Sequence, residues 1–360
     1  MGARIYFDHN ATTPVRPEIL AALPGLAAVS GNPSSVHAEG RAARKLVEEA
    51  RRAVGALVGA DARQVIFGAS GTEANHLALH GLPAACRLVS SIEHDSVRVW
   101  SEGQTIPVGP NGLVDIAELA ALLAKQPAPA LVSVMLANNE TGILQPIAAI
   151  AAIVHDAGGW LHCDAVQAPG RVPLDMASLG ADLLSLSAHK LGGLKGAAAL
   201  ILRPGLALQP VLRGGGQESS RRAGTEAVLP IAAFGLAATL ARTHLNDEAA
   251  MVAVLRDRLE AGLPPGVQVV GADQPRLPNT SCLVVPGQSA ETLVIALDLA
   301  GVAVSAGSAC SSGKVRRSPV LTAMGYGDAL AGAAIRVSLG PGNSADEVDQ
   351  FLAILTRLAT

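Results

Sequence analysis

The sequence predicts an α/β protein with a large, mostly parallel mixed sheet covered by helices, followed by a smaller α/β domain. Three observations predict it. Short apolar runs rich in Val, Leu and Ile alternate with longer stretches of helical periodicity, as in QVIFGAS then GTEANHLALHGL, and ALVSVMLANNETG then IAAIAAIVHDAG. That alternation marks buried parallel strands and their crossover helices. Polar residues gather just behind the apolar runs, where open α/β sheets bind ligands. After about residue 244 the pattern changes to an amphipathic helix, then to strand-like VQVVG, TSCLVVP and VAVSAG interleaved with helices.

Ahead of the first strand, RAARKLVEEARRAVGALVG places Ala43, Leu46, Val47, Ala50, Val54 and Leu57 on one helical face, so this helix packs and does no chemistry. WLHCDAV and DLLSLSAHK add two more strand-like runs. AVLPIAAFGLAATLA, from 227 to 241, contains Pro and Gly and is bounded by Glu226 and Arg242. It is too short for a membrane span and reads as a buried helix. AIRVSLG is a further strand, and a last helix opens at Asn343-Ser344. The expected division is a large domain over 16–244 and a small domain made of 1–15 and 245–360.

A chain of 360 residues with 49% hydrophobic residues has enough apolar mass for two domains. A net charge of −3 with scattered charges gives no electrostatic case for nucleic acid. MGARIYFDHN lacks an apolar signal core, so the cytoplasm is the default location. The four cysteines form no Cys-x-x-Cys pair, which argues against a disulfide framework and a structural zinc. Cys86, Cys163 and Cys282 sit in apolar runs and read as small buried hydrophobes. Cys310 differs. Its surroundings, SAGSACSSG, are all small residues, and such a loop presents a thiol rather than burying it.

The residues behind successive strand-like runs form a set: Gly71 and Thr72, then Glu93 and His94, then Asn138, Asn139 and Glu140, then Asp164 and Gln167, then Ser187, His189 and Lys190. Each has an ordinary reading. Thr72 would cap a helix, His94 would be a loop histidine, Asp164 a turn residue, and Lys190 would reach water along its stem. What favours chemistry is the ensemble, with an acid and a lysine among the strand ends. A desolvated lysine amine condenses with an aldehyde to a Schiff base. A nearby carboxylate keeps a pyridine nitrogen protonated, so that the ring becomes an electron sink. These are the needs of pyridoxal phosphate. Thr72, Ser187 and His189 would supply phosphate donors, Gln167 would reach the phenolic oxygen, and His94 would stack on the ring.

The chain resembles the pyridoxal-phosphate-dependent cysteine desulfurases of the NifS/IscS type, within the fold type I, aspartate aminotransferase-like superfamily. The resemblance covers almost the whole chain. It rests on YFDHNATTP, GNPSSVHAEGR, SGTEANHLAL, EHDSV, NNETG, HCDAVQ, SLSAHKLGG, RRAGTEA, SAGSACSSG and IRVSLG, in that order. It implies a homodimer that converts L-cysteine to L-alanine and transfers the sulfur to an enzyme cysteine as a persulfide. Carried over residue by residue, Lys190 would hold the cofactor and move the α-proton. Asp164 would hold the pyridine nitrogen, with Gln167 and Asn139 on the ring side. Gly71, Thr72, Ser187 and His189 would hold the phosphate, and Thr225 would reach it from the partner subunit. Arg336 would clamp the substrate carboxylate, and Asn10 and Arg222 would line the pocket. Cys310 would be the nucleophile, and His94 would pass protons as well as stack.

CSSGKVRRSPVLTAMG resembles the subgroup with the longer cysteine loop, which favours delivery to a protein acceptor such as an iron-sulfur scaffold, or to tRNA thiolation. No metal takes part in the reaction on this reading, although Cys310 would be a transient cluster ligand during transfer. The chain departs from the family pattern at His76, where Asn is more usual, and at its end, Leu358-Ala359-Thr360, which lacks the extension some members use to grip the scaffold. The alternatives are a selenocysteine lyase, another fold type I lyase or aminotransferase, and a non-enzymatic scaffold. SAGSACSSG argues against the lyases, and the intact Lys190, Asp164 and Cys310 argue against the scaffold.

Overall fold

The computed structural model describes residues 4–101, 103–307 and 317–359, so Cys310 lies outside the described residues. The chain opens with strand β1 (Ile5–Tyr6). A seven-stranded sheet follows, built from β2 (Val65–Gly68), β3 (Cys86–Ser90), β4 (Thr105–Ile106), β5 (Ala130–Ser133), β6 (Trp160–Asp164), β7 (Leu183–Ser187) and β8 (Ala198–Leu202). Its spatial order is β2-β8-β7-β6-β5-β3-β4. The strands from β7 to β4 in that order run parallel, whereas β8 is antiparallel to both β2 and β7. β5, β7 and β8 are buried along their whole length, which is why their sequences read as unbroken apolar runs.

The helix Ala38–Leu57 buries Ala43, Val47, Ala50, Val54 and Leu57 as its periodicity predicts, while Leu46 is only half-buried. It packs against the helix Val228–Thr243, the apolar run of the sequence. Gly235 allows the close crossing, because a Cβ there would lie 2.5 Å from Ala50 Cα. That first helix also buries a charge the periodicity does not foresee. Arg51 grips Glu218 with two hydrogen bonds of 2.6 and 2.8 Å, and its guanidinium lies 4.9 Å from the centre of the Phe67 ring. Glu218 also accepts the Phe67 N–H at 2.9 Å. This anchor holds a strained turn, since Glu218, Ser219 and Ser220 have φ of 49°, 57° and 62°.

The helix Val228–Thr243 bends by 73° into Leu245–Ala261. Among the described residues no single helix is long and apolar enough to cross a membrane. Beyond the bend come β9 (Gln268–Val269), β10 (Thr280–Val284), β11 (Val302–Ala303), β12 (Ser305–Ala306) and β13 (Ala334–Ser338). β12, β13, β10 and β9 form an antiparallel sheet in that order, and β11 pairs parallel with β1. Phe7, Leu255, Leu283, Leu297, Ile335 and Phe351 share its core, with Phe7 and Phe351 edge to face at 5.8 Å.

The segment behind β1 links this sheet to the large one. Asn10 N donates to Ser338 Oγ at 3.0 Å, and Thr13 N donates to His189 O at 2.9 Å. Of the cysteines expected to be core, Cys163 and Cys282 are buried, but Cys86 is half-exposed. It stands at the start of β3, where Cys86 and Arg87 are only partly buried and the strand is fully buried from Leu88 on.

Candidate active site

The carboxyl ends of the parallel strands and the segment behind β1 enclose a cavity of ≈ 330 Å³. Asn10, Gly71, Thr72, His94, Asn139, Asp164, Gln167, Ser187, His189, Lys190 and Arg336 all line it. A larger cavity of ≈ 530 Å³ alongside shares only Lys190 with that set.

β7 carries Ser187 at its end, and the chain then turns through one short 3-10 turn, Ala188–Lys190. This places Lys190 half-buried, with Nζ donating to the Asn10 carbonyl at 2.5 Å and the Ala11 carbonyl at 3.0 Å. The desolvation expected for this lysine is therefore partial. Backbone carbonyls satisfy the amine where the sequence alone leaves it without partners.

At the end of β6, Asp164 is 3% exposed, accepting the Val166 N–H at 3.1 Å and an Asn75 amide N–H at 2.7 Å. Gln167 sits one turn on. Its Nε2 donates to Asn10 O at 3.0 Å, and its Oε1 accepts from Arg171 at 2.6 Å. Arg171 is itself buried, and burial, with the Arg336 charge adding, lowers it to about 9. His189 is lowered to about 4 by burial and by the charges of Lys190 and Lys195, so it enters as a neutral imidazole.

The helix Gly71–His80 begins at the cavity. Ser70 is its cap, accepting the Glu73 N–H, so Thr72 is left for another role. The first amides of a helix have no intrahelical partner and favour an anion. Ser187 lies across from them, 3.7 Å from where a Gly71 Cβ would stand, and its buried hydroxyl oxygen has no hydrogen-bond partner. Two hydroxyls, a helix N-terminus and a neutral histidine make a donor set of the kind a phosphate group takes.

From the other sheet, Arg336 on β13 is 2% exposed. Its NH2 pairs with Asp8 Oδ1 at 2.7 Å, its NH1 donates to Asn139 O at 3.0 Å, and its Nε–H is buried without a partner. Arg222 does not line the cavity. It pairs with Glu73 at 2.6 Å, at the mouth of the same helix. Thr225 is exposed and also lies off its own chain's cavity wall. Beneath the floor, burial above all drives Glu93 up to about 8, against a hydrogen bond from Ser90 and with the Asp164 charge adding.

Asp8, Asn75, Ser96 and Arg171 escape a reading of the sequence by strand ends. Asn75 had a usable signal, lying one helical turn beyond Gly71 and Thr72 and so on the same face.

A family model for class-V aminotransferases matches residues 5–351. A cysteine desulfurase of Cereibacter sphaeroides is 43% identical, covering 98% of this chain and 95% of that one. The chain belongs to the cysteine desulfurases of the class-V aminotransferase family. Among other cysteine desulfurases, one of Methanosarcina thermophila, an IscS, is 37% identical over 98% of this chain and 91% of its own length. The solved structure of a NifS-like protein from Rickettsia africae superposes with a TM-score of 0.93 at 36% identity, covering 99% of both chains. The large mixed sheet and the smaller antiparallel one are thus the fold type I architecture of this desulfurase family.

Proposed function

We propose that this protein removes the sulfur of L-cysteine, releasing L-alanine and keeping the sulfur as a persulfide on Cys310, with pyridoxal 5'-phosphate bound in the ≈ 330 Å³ cavity. The observation that carries the reading is that Lys190, Asp164 and the unpartnered, buried Ser187 hydroxyl line one cavity. Thr72, Ser187, His189 and the amides of Gly71 and Thr72 fit the phosphate. Asp164, held as an acceptor by two N–H donors, fits a pyridinium N–H. When bound, the cofactor supplies the electron sink that lets a proton leave the α-carbon of an amino acid.

The chain's own residues do the rest. Arg336 holds the substrate carboxylate through the N–H groups that Asp8 and Asn139 leave over. Gln167, fixed between Asn10 and Arg171, orients the ring edge. The Lys190 amine takes the α-proton and returns it at the carbon that becomes the methyl-bearing centre of alanine. The Cys310 thiolate attacks the substrate sulfur. An S–S bond forms, the C–S bond breaks, and its electron pair stays with carbon, which is protonated to give alanine.

Thr225, exposed and off its own cavity wall, suits contribution to a second copy's phosphate site in a homodimer. The persulfide passes to an acceptor protein. The Cys163 and Cys282 thiols, buried and outside any disulfide, suit a reducing cytoplasm. The division into 16–244 and 1–15 with 245–360 belongs to the same proposal, supported by the two sheets and the bend between them.

The test is Lys190→Ala. It is expected to bind pyridoxal phosphate through the phosphate donors yet form no alanine. In the wild type, borohydride reduction and peptide mapping should place the cofactor on the peptide bearing Lys190. Reduced cofactor on Lys195 or Lys314 instead would overturn the assignment.

A further inference from the structure

His94 lines the cavity from the turn behind β3, and its ring is held from behind. Nδ1 accepts the Ser96 backbone N–H at 3.1 Å, and the Ser96 hydroxyl oxygen lies 2.9 Å from the same nitrogen. A backbone amide only donates. Nδ1 must therefore carry a lone pair, which leaves the ring proton on Nε2.

The Ser96 hydroxyl is oriented in turn. Asn75 Nδ2 reaches Ser96 Oγ at 3.0 Å and Asp164 Oδ2 at 2.7 Å. A carboxylate only accepts, so the Asn75 group that faces Asp164 is the NH2 and not the carbonyl. Asn75 is 1% exposed, and its Oδ1 is buried without a partner, the cost of turning both donors to Asp164 and Ser96. Because Nδ1 carries a lone pair, the Ser96 hydroxyl can only donate to it, while an Oγ lone pair accepts from Asn75. The polarity of the chain from Asn75 through Ser96 to His94 runs one way.

We infer that Asn75 and Ser96 are positioning residues that hold His94 as the neutral, Nε2-protonated tautomer and couple it to Asp164. Whatever Nε2 meets in the cavity, it meets as a donor. His94 thus orients and hydrogen-bonds, and the base that takes the substrate proton is another group, with Lys190 on the same cavity. A second proton on His94 would have to sit on Nδ1, against the Ser96 N–H. Among the described residues, the charged and titratable groups on the cavity and beside His94 in the chain are Asp164 on β6, His189 and Lys190 behind β7, Arg336 on β13, the preceding Glu93, and the Asp95–Arg98 ion pair on its own short helix. This inference rests on the proposed function only for the meaning of Asp164, because the tautomer follows from the hydrogen bonds themselves.

The test is long-range 1H–15N NMR of the full-length enzyme as purified, with 15N-labelled histidine and His94 assigned by loss of its signals in His94→Gln. The wild type is expected to show the Nε2–H tautomer at neutral pH. In Ser96→Ala the backbone N–H remains and the Nε2–H tautomer should persist, but the neutral ring loses its hydroxyl donor, so the His94 titration should move to higher pH. Ser96→Thr, which keeps the hydroxyl, should restore the wild-type pattern, and Asn75→Leu should reproduce part of the Ser96→Ala effect. In alanine formation, Ser96→Ala should lose roughly tenfold in kcat at unchanged KM, with the acid limb of its pH profile displaced upward. An Nδ1–H or doubly protonated His94 in the wild type at neutral pH overturns the inference, as does a Ser96→Ala titration that superimposes on the wild type. If cysteine yields no alanine while these NMR shifts occur, the proposed function fails and the inference on His94 stands.

Discussion

Replacing Arg336 with alanine takes away the only cation that the β13 strand brings into the cavity, and the structure bounds what that should cost. The guanidinium is 2% exposed, so a substrate carboxylate meets it out of water, where losing one partner of a hydrogen-bonded charge pair costs about 2–5 kcal/mol. The geometry favours the lower end. One NH2 hydrogen already serves Asp8 and one NH1 hydrogen serves the Asn139 carbonyl, so the substrate competes with an acid 2.7 Å away and meets only part of the fork. A loss of about 2–3 kcal/mol is a rise in KM of roughly 30- to 150-fold. Steady-state alanine production at increasing L-cysteine measures it, with the spectrum of the bound cofactor as a control that should change little. A KM within threefold of wild type would refute the reasoning and move the carboxylate clamp elsewhere, with Arg222 the next group to test.

Glu218→Ala should leave Arg51 buried without its carboxylate and the Phe67 N–H without its acceptor, lowering stability by about 3–5 kcal/mol in urea unfolding, and a loss under about 1 kcal/mol would show that the strained turn does not depend on the anchor. Cys310→Ser should keep the fold and the colour but carry no persulfide by mass spectrometry. The triple variant Cys86→Ala, Cys163→Ala, Cys282→Ala should keep turning over, since burial holds Cys163 and Cys282 as thiols, and desulfuration by Cys310→Ser at the wild-type rate would end the persulfide reading. Burial raises Glu93 to about 8 and Glu140 to about 7, so each keeps a proton in the folded state that the unfolded chain has released, a contribution present below about 4.5 and lost as pH rises through those values. His9 and His162, lowered to about 4 by burial, act with the opposite sign, and their contribution is complete above about 6.5. Urea stability should therefore fall between about pH 6.5 and 8, by up to ~1.4 kcal/mol per pH unit for each proton, and Glu93→Gln should flatten the upper part of that fall. A flat wild-type profile there would mean that neither carboxyl is protonated in the fold.

Asp164, Ser187 and Lys190 were legible in the sequence because a strand buried on both faces has no other place for polarity than its ends. Gly71 and Thr72, which line the same cavity, were legible for a related reason, since they open a helix directly behind a strand end. Asn75 could be placed on the face of Gly71 and Thr72 but not assigned a partner, and Ser96 was not legible at all, because a polar residue inside a helix looks the same whether it faces water or a carboxylate. Arg51 and Glu218 stand 167 residues apart, and Asp8 and Arg336 stand 328 apart. No local pattern pairs residues at such separations; only the packing of the finished fold does. Lys190 was legible as a reactive candidate but not in its surroundings, since the carbonyls that hold its amine belong to Asn10 and Ala11.

The pairing of β1 with β11 gives the site a place in time. Ile5 and Tyr6 leave the ribosome long before their partners, Val302 and Ala303. At roughly 5–20 residues per second, on the order of 15–60 s separates the two. Through that interval the large sheet can form, with Asp164 and Lys190 at its strand ends. The carbonyls of Asn10 and Ala11 cannot yet be brought to the lysine, and Arg336 has not been made. The nascent chain therefore carries an incomplete cavity until β11 and β13 have been made.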